Sequence, residues 1–248
     1  MLASVLALTG AGAVVLLVLF TTRRPEVVLA SRSQRLARWQ TQHHAPGIDP
    51  EANPFVRGFL RVADFGARPL ARRGVAPNAL TLLAVWGALW VPVLARARHL
   101  WPLLGAVVVV LSALADGLDG SVAAMTDRST QLGFVLDSVA DRIADSAFTV
   151  ALVLAGAKGW WGGAAGVSMG LLEYTRARAS AGGFREVGVI TVGERPTRIV
   201  AATIGLGACG LAPHSTRFIA TGTLVVITVT SLIGLAQLAA VLARRLDR

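Results

Sequence analysis

Long uncharged runs, broken by stretches rich in arginine, set the pattern of this chain. The first run, Leu2 to Phe20, carries no charge and is followed by Arg23 and Arg24. A helix needs about 20 mostly apolar residues to cross a bilayer. A cleaved signal peptide carries its basic residues before the apolar run, and here they come after it. Residues 1–22 therefore read as an uncleaved transmembrane anchor with its N-terminus outside. Residues 23–53 are polar and basic, with Pro25, Pro46 and Pro50, and read as a cytoplasmic linker.

From Phe55 to Arg73 the apolar positions Phe55, Phe59, Leu60, Val62, Phe65 and Leu70 alternate with Arg57, Arg61, Arg68, Arg72 and Arg73. Three-to-four spacing with arginines between suits a helix lying in the membrane interface. Six further apolar runs follow: Leu80–Ala95, Trp101–Ala115, Gly133–Ala155, Trp160–Leu172, Ile199–Leu211 and Phe218–Leu242. Alternating sides from a cytoplasmic Arg72-Arg73 places Arg96, Arg98, Lys158 and Arg217 outside. The other 20 of the 24 basic residues then fall on the cytoplasmic side or at its boundary. That is the bias expected of cytoplasmic loops.

Composition agrees with this reading. The chain has 248 residues, 54% of them hydrophobic and only 15% charged, with a mean hydropathy of +0.62. A soluble domain spends roughly a quarter of its residues on charge. The formal net charge of +10 would suggest nucleic acid in a soluble protein. In so apolar a chain it fits loops lying against anionic headgroups, and no nucleic-acid partner is expected. The single cysteine, Cys209, stands in an apolar run and can form no internal disulfide.

Asp116, Asp119, Asp137, Asp141 and Asp145 stand within or beside long apolar runs. Ionisable groups are costly there, at least about 2.5 kcal/mol each, and are functional candidates by default. Asp116 and Asp119 are three apart and Asp137 and Asp141 four apart, so each pair shares a helical face. A turn around Asp127 to Gln131 would make the two helices antiparallel neighbours and bring four carboxylates together. Four close carboxylates need cations, and hard divalent metals take oxygen ligands beside substrate phosphates. Asp127, in the turn, and Asp145 suit instead a helix cap or a pairing with Arg128 or Arg142.

The run Asp116-Gly-Leu-Asp119-Gly120-x-x-Ala123, followed by Gly133-x-x-x-Asp137-x-x-x-Asp141, resembles the signature of the CDP-alcohol phosphatidyltransferase family. Seven of its eight fixed positions match over 26 residues. The interfacial helix, the six spans and the Pro77-Asn78-x-x-Thr81 opening also resemble the family. The resemblance implies that Asp116, Asp119 and Asp137 hold one metal ion. Asp116, Asp137 and Asp141 would hold a second, with Mg²⁺ or Mn²⁺ as the ions. Asp141 would also take the proton of the acceptor hydroxyl. Asn78, Thr81, Gly120 and Thr130 would line the site of a CDP-linked lipid donor. The family arginine that follows the motif's alanine is replaced by Ala124, which removes a contact to the nucleotide diphosphate; Arg128 is its candidate substitute.

A second basic cluster comprises Arg176 and Arg178, then Glu194, Arg195 and Arg198. Guanidinium groups bind phosphate bidentately and stay charged. These four arginines could hold the phosphate of a small alcohol acceptor, and positive-inside topology is the competing explanation. The pattern is similar to the family branch that uses inositol phosphate.

The expected fold is an all-α integral membrane protein: a six-helix transmembrane core with an N-terminal interfacial amphipathic helix, plus one extra N-terminal transmembrane anchor. The divisions are 1–22 anchor, 23–53 linker, 54–243 phosphatidyltransferase domain and 244–248 basic tail. The resemblance implies a multi-pass cell-membrane transferase in contact with membrane lipids, homodimeric, with its active site facing the cytoplasm. It would move a phosphatidyl group to an acceptor such as inositol phosphate or glycerol phosphate and release CMP. A family member that binds without turnover and a cation-coupled transporter are the alternatives. A transporter would hold its carboxylates nearer the midplane.

Overall fold

The computed structural model describes residues 2–21, 65–182 and 191–246. The linker 23–53, the first part of the expected interfacial helix and the end of the basic tail lie outside the described residues. Every regular element among the described residues is helical. The helices are α1 (Leu2–Thr21), α2 (65–72), α3 (Pro77–Arg96), α4 (Trp101–Thr126), α5 (Gln131–Ala155), α6 (Gly159–Ala181), α7 (Arg195–Leu211) and α8 (Thr216–Leu246). A 3₁₀ turn, Pro213–Ser215, leads into α8.

Each expected apolar run lies on a helix. The helices extend past the runs because charged side chains continue them: α4 runs on to Thr126 and so includes Asp116 and Asp119. In an apolar surrounding, a helix satisfies every backbone group within its own segment. Among the described residues, three helical stretches are long and apolar enough to cross a membrane: Pro77–Arg96, Trp101–Thr126 and Pro213–Arg244. Helices α5, α6 and α7 carry the aspartate, glutamate and arginine residues that reduce their apolar character.

Two compact units divide the chain. The first comprises residues 1–87 and 111–144. Within it, the apolar side of α2 packs Ala67 and Ala71 against Leu80, Val122 and Met125, while Arg68, Arg72 and Arg73 are exposed. This is the described end of the amphipathic segment: its arginines are exposed as the spacing predicts, but its buried positions are Ala67 and Ala71, whereas Phe65, expected on the apolar face, is exposed and Leu70 is half-buried. Gly74 follows at φ 70°, a left-handed conformation that glycine adopts without strain, and the Val75 N–H returns to the Leu70 carbonyl. The chain is thereby turned into α3. Helix α1 rests on α3 where the Trp86 indole donates to the Leu8 carbonyl at 2.7 Å. Gly12 lies against the same indole, with no room for a side chain.

The second unit comprises residues 88–110 and 145–248. Here α6 and α7 both pack on α8. Small residues let the backbones approach: a Cβ on Gly210 would stand 2.7 Å from the Leu103 nitrogen. Close contact of this kind drives helix association where lipid is as apolar as the helices.

Candidate active site

The first unit gathers the aspartates. Helix α4 ends at Thr126, and Asp127 follows at φ 56° while the Arg128 N–H bonds back to the Ala123 carbonyl at 3.1 Å. Aspartate tolerates this left-handed position better than most residues. The turn closes on Thr130, whose Oγ1 accepts the Gly133 N–H at 2.9 Å and so caps α5. Helices α4 and α5 are therefore joined by the short turn that the spacing predicts, with Asp127 within it.

Asp116, Asp119 and Asp137 each offer an oxygen within 4.8 Å of the others. Asp116 and Asp119 are buried and Asp137 is half-buried. Asp141, half-buried one turn further along α5, lies outside this group of three, and its Oδ2 stands 3.8 Å from Arg142. Three of the four expected carboxylates meet, and the fourth stands on the adjoining turn.

The structure places the candidate donor residues as follows. Thr81 is buried, and its hydroxyl donates to Asp119 Oδ2. It therefore holds a carboxylate of the cluster. Asn78 and Thr130 converge at Gly133: a Cβ there would be 3.2 Å from Asn78 Oδ1 and 3.1 Å from Thr130 Oγ1. Gly117 and Gly120 face open space, with nothing within 4 Å of an added Cβ. The cluster thus has an open flank beside two glycines of α4. Arg128 donates to the Gly74 carbonyl at 3.3 Å, so its guanidinium is tied to the α2–α3 turn.

The second unit holds the arginine cluster, in which Arg198 and Arg176 form ion pairs. Arg198 is 3% exposed and contacts both Asp145 and Glu173. Arg176 donates to Glu194 Oε1 at 2.6 Å. The same oxygen accepts the N–H and hydroxyl of Thr191, which fixes the segment entering α7. Arg178 is exposed and Arg195 is half-buried. Asp145 accepts from Arg198 Nη1 at 2.9 Å, a partner that the sequence reading did not name. Sequence spacing missed this because the pair lies 53 residues apart. Glu173 was missed as well, although a lone acid in the α6 run is the usual signal of a buried counter-charge.

A hard divalent cation fits the three converging carboxylates, since such ions take oxygen ligands and combine protein carboxylates with substrate phosphates. Comparison with known proteins points the same way. The sequence model of the family described as CDP-alcohol phosphatidyltransferase matches residues 74–239. Phosphatidylinositol phosphate synthase of Mycolicibacterium smegmatis is 35% identical over 171 residues, covering 62% of this chain and 71% of that protein. The synthase of Streptomyces avermitilis is 30% identical over 174 residues, covering 64% and 68%. Among solved structures, Mycobacterium tuberculosis phosphatidylinositol phosphate synthase in complex with manganese and citrate aligns with a TM-score of 0.58 at 26% identity, covering 72% of this chain and 87% of that one. The same synthase with CDP-DAG bound aligns at 0.57 and 27% identity, covering 73% and 92%.

Proposed function

Because the chain belongs to the CDP-alcohol phosphatidyltransferase family, whose members are transferases, we propose that it moves a phosphatidyl group from a CDP-linked diacylglycerol to a phosphorylated polyol, releasing CMP. Inositol phosphate is the preferred acceptor and glycerol phosphate the second. Support for this order comes from the relatives named phosphatidylinositol phosphate synthase, one of which was solved with CDP-DAG. The observation that carries the reading is the convergence of Asp116, Asp119 and Asp137 beside the open flank at Gly117 and Gly120.

Asp116, Asp119 and Asp137 would hold one divalent ion, and Asp116, Asp137 and Asp141 a second. Bound there, the two ions supply charge neutralisation for the diphosphate and the departing CMP. Thr81 orients Asp119 through its hydroxyl. Asn78, Gly120 and Thr130 border the donor. Asp141 accepts the proton of the acceptor hydroxyl, whose oxygen attacks the lipid-side phosphorus as the bond to CMP breaks. Arg176, Arg178 and Arg195 hold the acceptor phosphate by charge-assisted hydrogen bonds. The chain acts as a homodimer in the cell membrane, with six core spans, the α1 anchor and a cytoplasmic active site.

CMP release from CDP-diacylglycerol, measured over a panel of acceptors with Mn²⁺ or Mg²⁺, tests the reading. Release with inositol phosphate above all others supports it, and release with glycerol phosphate alone reassigns the acceptor. Donor binding without release under any condition would establish the non-catalytic alternative, which Ala124 in place of the motif arginine favours.

A further inference from the structure

Arg198 is 3% exposed and Asp145 6%. The guanidinium donates from Nη1 to Asp145 Oδ2 at 2.9 Å and from Nη2 to Glu173 Oε1 at 2.5 Å. Asp145 belongs to α5, Glu173 to α6 and Arg198 to α7, so one side chain ties three helices of the second unit. Both terminal nitrogens are committed to carboxylates. A planar fork with several N–H donors is the group suited to bridging two acids. Buried charges are tolerated only when paired with good geometry, and taking away one partner strands the others. Arg195, three residues earlier on the first turn of α7, is more accessible, and Arg178 is exposed.

We propose that Asp145, Glu173 and Arg198 form an ion lock among α5, α6 and α7. Arg198 is then a positioning residue. It fixes the first turn of α7 and so aims Arg195, without touching substrate itself. The aiming of Arg195 rests on the reading of this chain as a transferase with an anionic acceptor, whereas the lock does not. A lock and a ligand behave differently when charge is removed. Losing Arg198 alone leaves the buried Asp145 carboxylate facing the half-buried Glu173 carboxylate without the cation between them. Losing all three charges leaves no ion to desolvate and nearly the same shape.

The test compares thermal melting and CMP-release kinetics of the full-length protein in detergent with those of three variants. Arg198→Gln is expected to lower Tm by about 10 °C. The triple variant Asp145→Asn/Glu173→Gln/Arg198→Gln is expected to regain most of that loss. Its acceptor KM should stay within roughly threefold of the wild type. Arg195→Gln is expected to keep Tm and raise acceptor KM about tenfold or more. If Arg198→Gln yields no folded protein, recovery in the triple variant still decides the matter. A triple variant that regains Tm but keeps a tenfold raised acceptor KM would show that Arg198 grips the acceptor, which overturns the proposal. Unchanged melting of Arg198→Gln, or a triple variant no more stable than the single one, overturns the lock. Absence of CMP release from the wild type would defeat the transferase reading while the melting comparison still judges the lock.

Discussion

The Thr81 hydroxyl donates to the Asp119 carboxylate across 38 residues of sequence, from the second turn of α3 to the aspartate-bearing face of α4. A donor on one oxygen of a ligating carboxylate fixes its orientation and leaves the other oxygen to face the ion. Thr81→Ala is therefore expected to weaken Mn²⁺ binding about 10- to 100-fold, while Thr81→Ser retains most of it. Titration of Mn²⁺ into the purified protein, followed by electron paramagnetic resonance, measures both. Equal affinity in Thr81→Ala would make the contact incidental.

The carboxylates differ in role. Asp137→Asn and Asp141→Asn are each expected to abolish CMP release while the protein still folds and inserts. Asp127→Asn is expected to be nearly silent, because asparagine adopts the left-handed conformation observed at φ 56° as readily as aspartate. Should Asp127→Asn inactivate the enzyme and Asp141→Asn spare it, the assignment of roles is wrong.

Removal of divalent metal follows from the same cluster. Activity is expected to vanish in excess chelator and to return with Mn²⁺ or Mg²⁺, because three carboxylates with oxygens within 4.8 Å repel one another without a cation. Full turnover in chelator would exclude the metal reading.

Glycine positions separate folding space from ligand space. Gly120→Ala meets no protein atom within 4 Å, so melting should be unchanged and any rise in donor KM reports on the ligand alone. Gly133→Ala would press a methyl group on Asn78 Oδ1 and Thr130 Oγ1, at 3.2 and 3.1 Å, and should disturb donor binding and the α5 cap together. If both variants behave alike in melting and in KM, the open flank is not where the donor lies.

Restoring the family arginine by Ala124→Arg is expected to tighten the CDP-linked donor by about one to two decades, the worth of one charge-assisted contact, with acceptor KM unchanged. Donor KM measured at saturating acceptor gives the answer. No gain would mean that another group serves the diphosphate, with Arg128 the first to test even though it donates to the Gly74 carbonyl.

Much of this architecture was legible in the chain. Uncharged runs near 20 residues become helices because an apolar surrounding offers the backbone no other hydrogen-bond partner. The spacing of Asp116 with Asp119, and the turn at Asp127, determined that the first three cluster members would meet. Asp141 shares the i, i+4 face with Asp137 but lies about 6 Å further along the helix axis, so it stands outside the group of three.

The sequence by itself determined where the helices lie and which face of each carries chemistry. Only the tertiary structure decided which side chain answers which: Thr81 with Asp119, Glu194 with Arg176, and Arg198 with Asp145 and Glu173. The physical reason lies in the medium. Lipid is as apolar as the helices, so hydrophobic pattern does not separate the face that meets a neighbour from the face that meets the membrane. Hydrogen-bond and ion partners follow from how helices distant in sequence pack, and no local period encodes that packing.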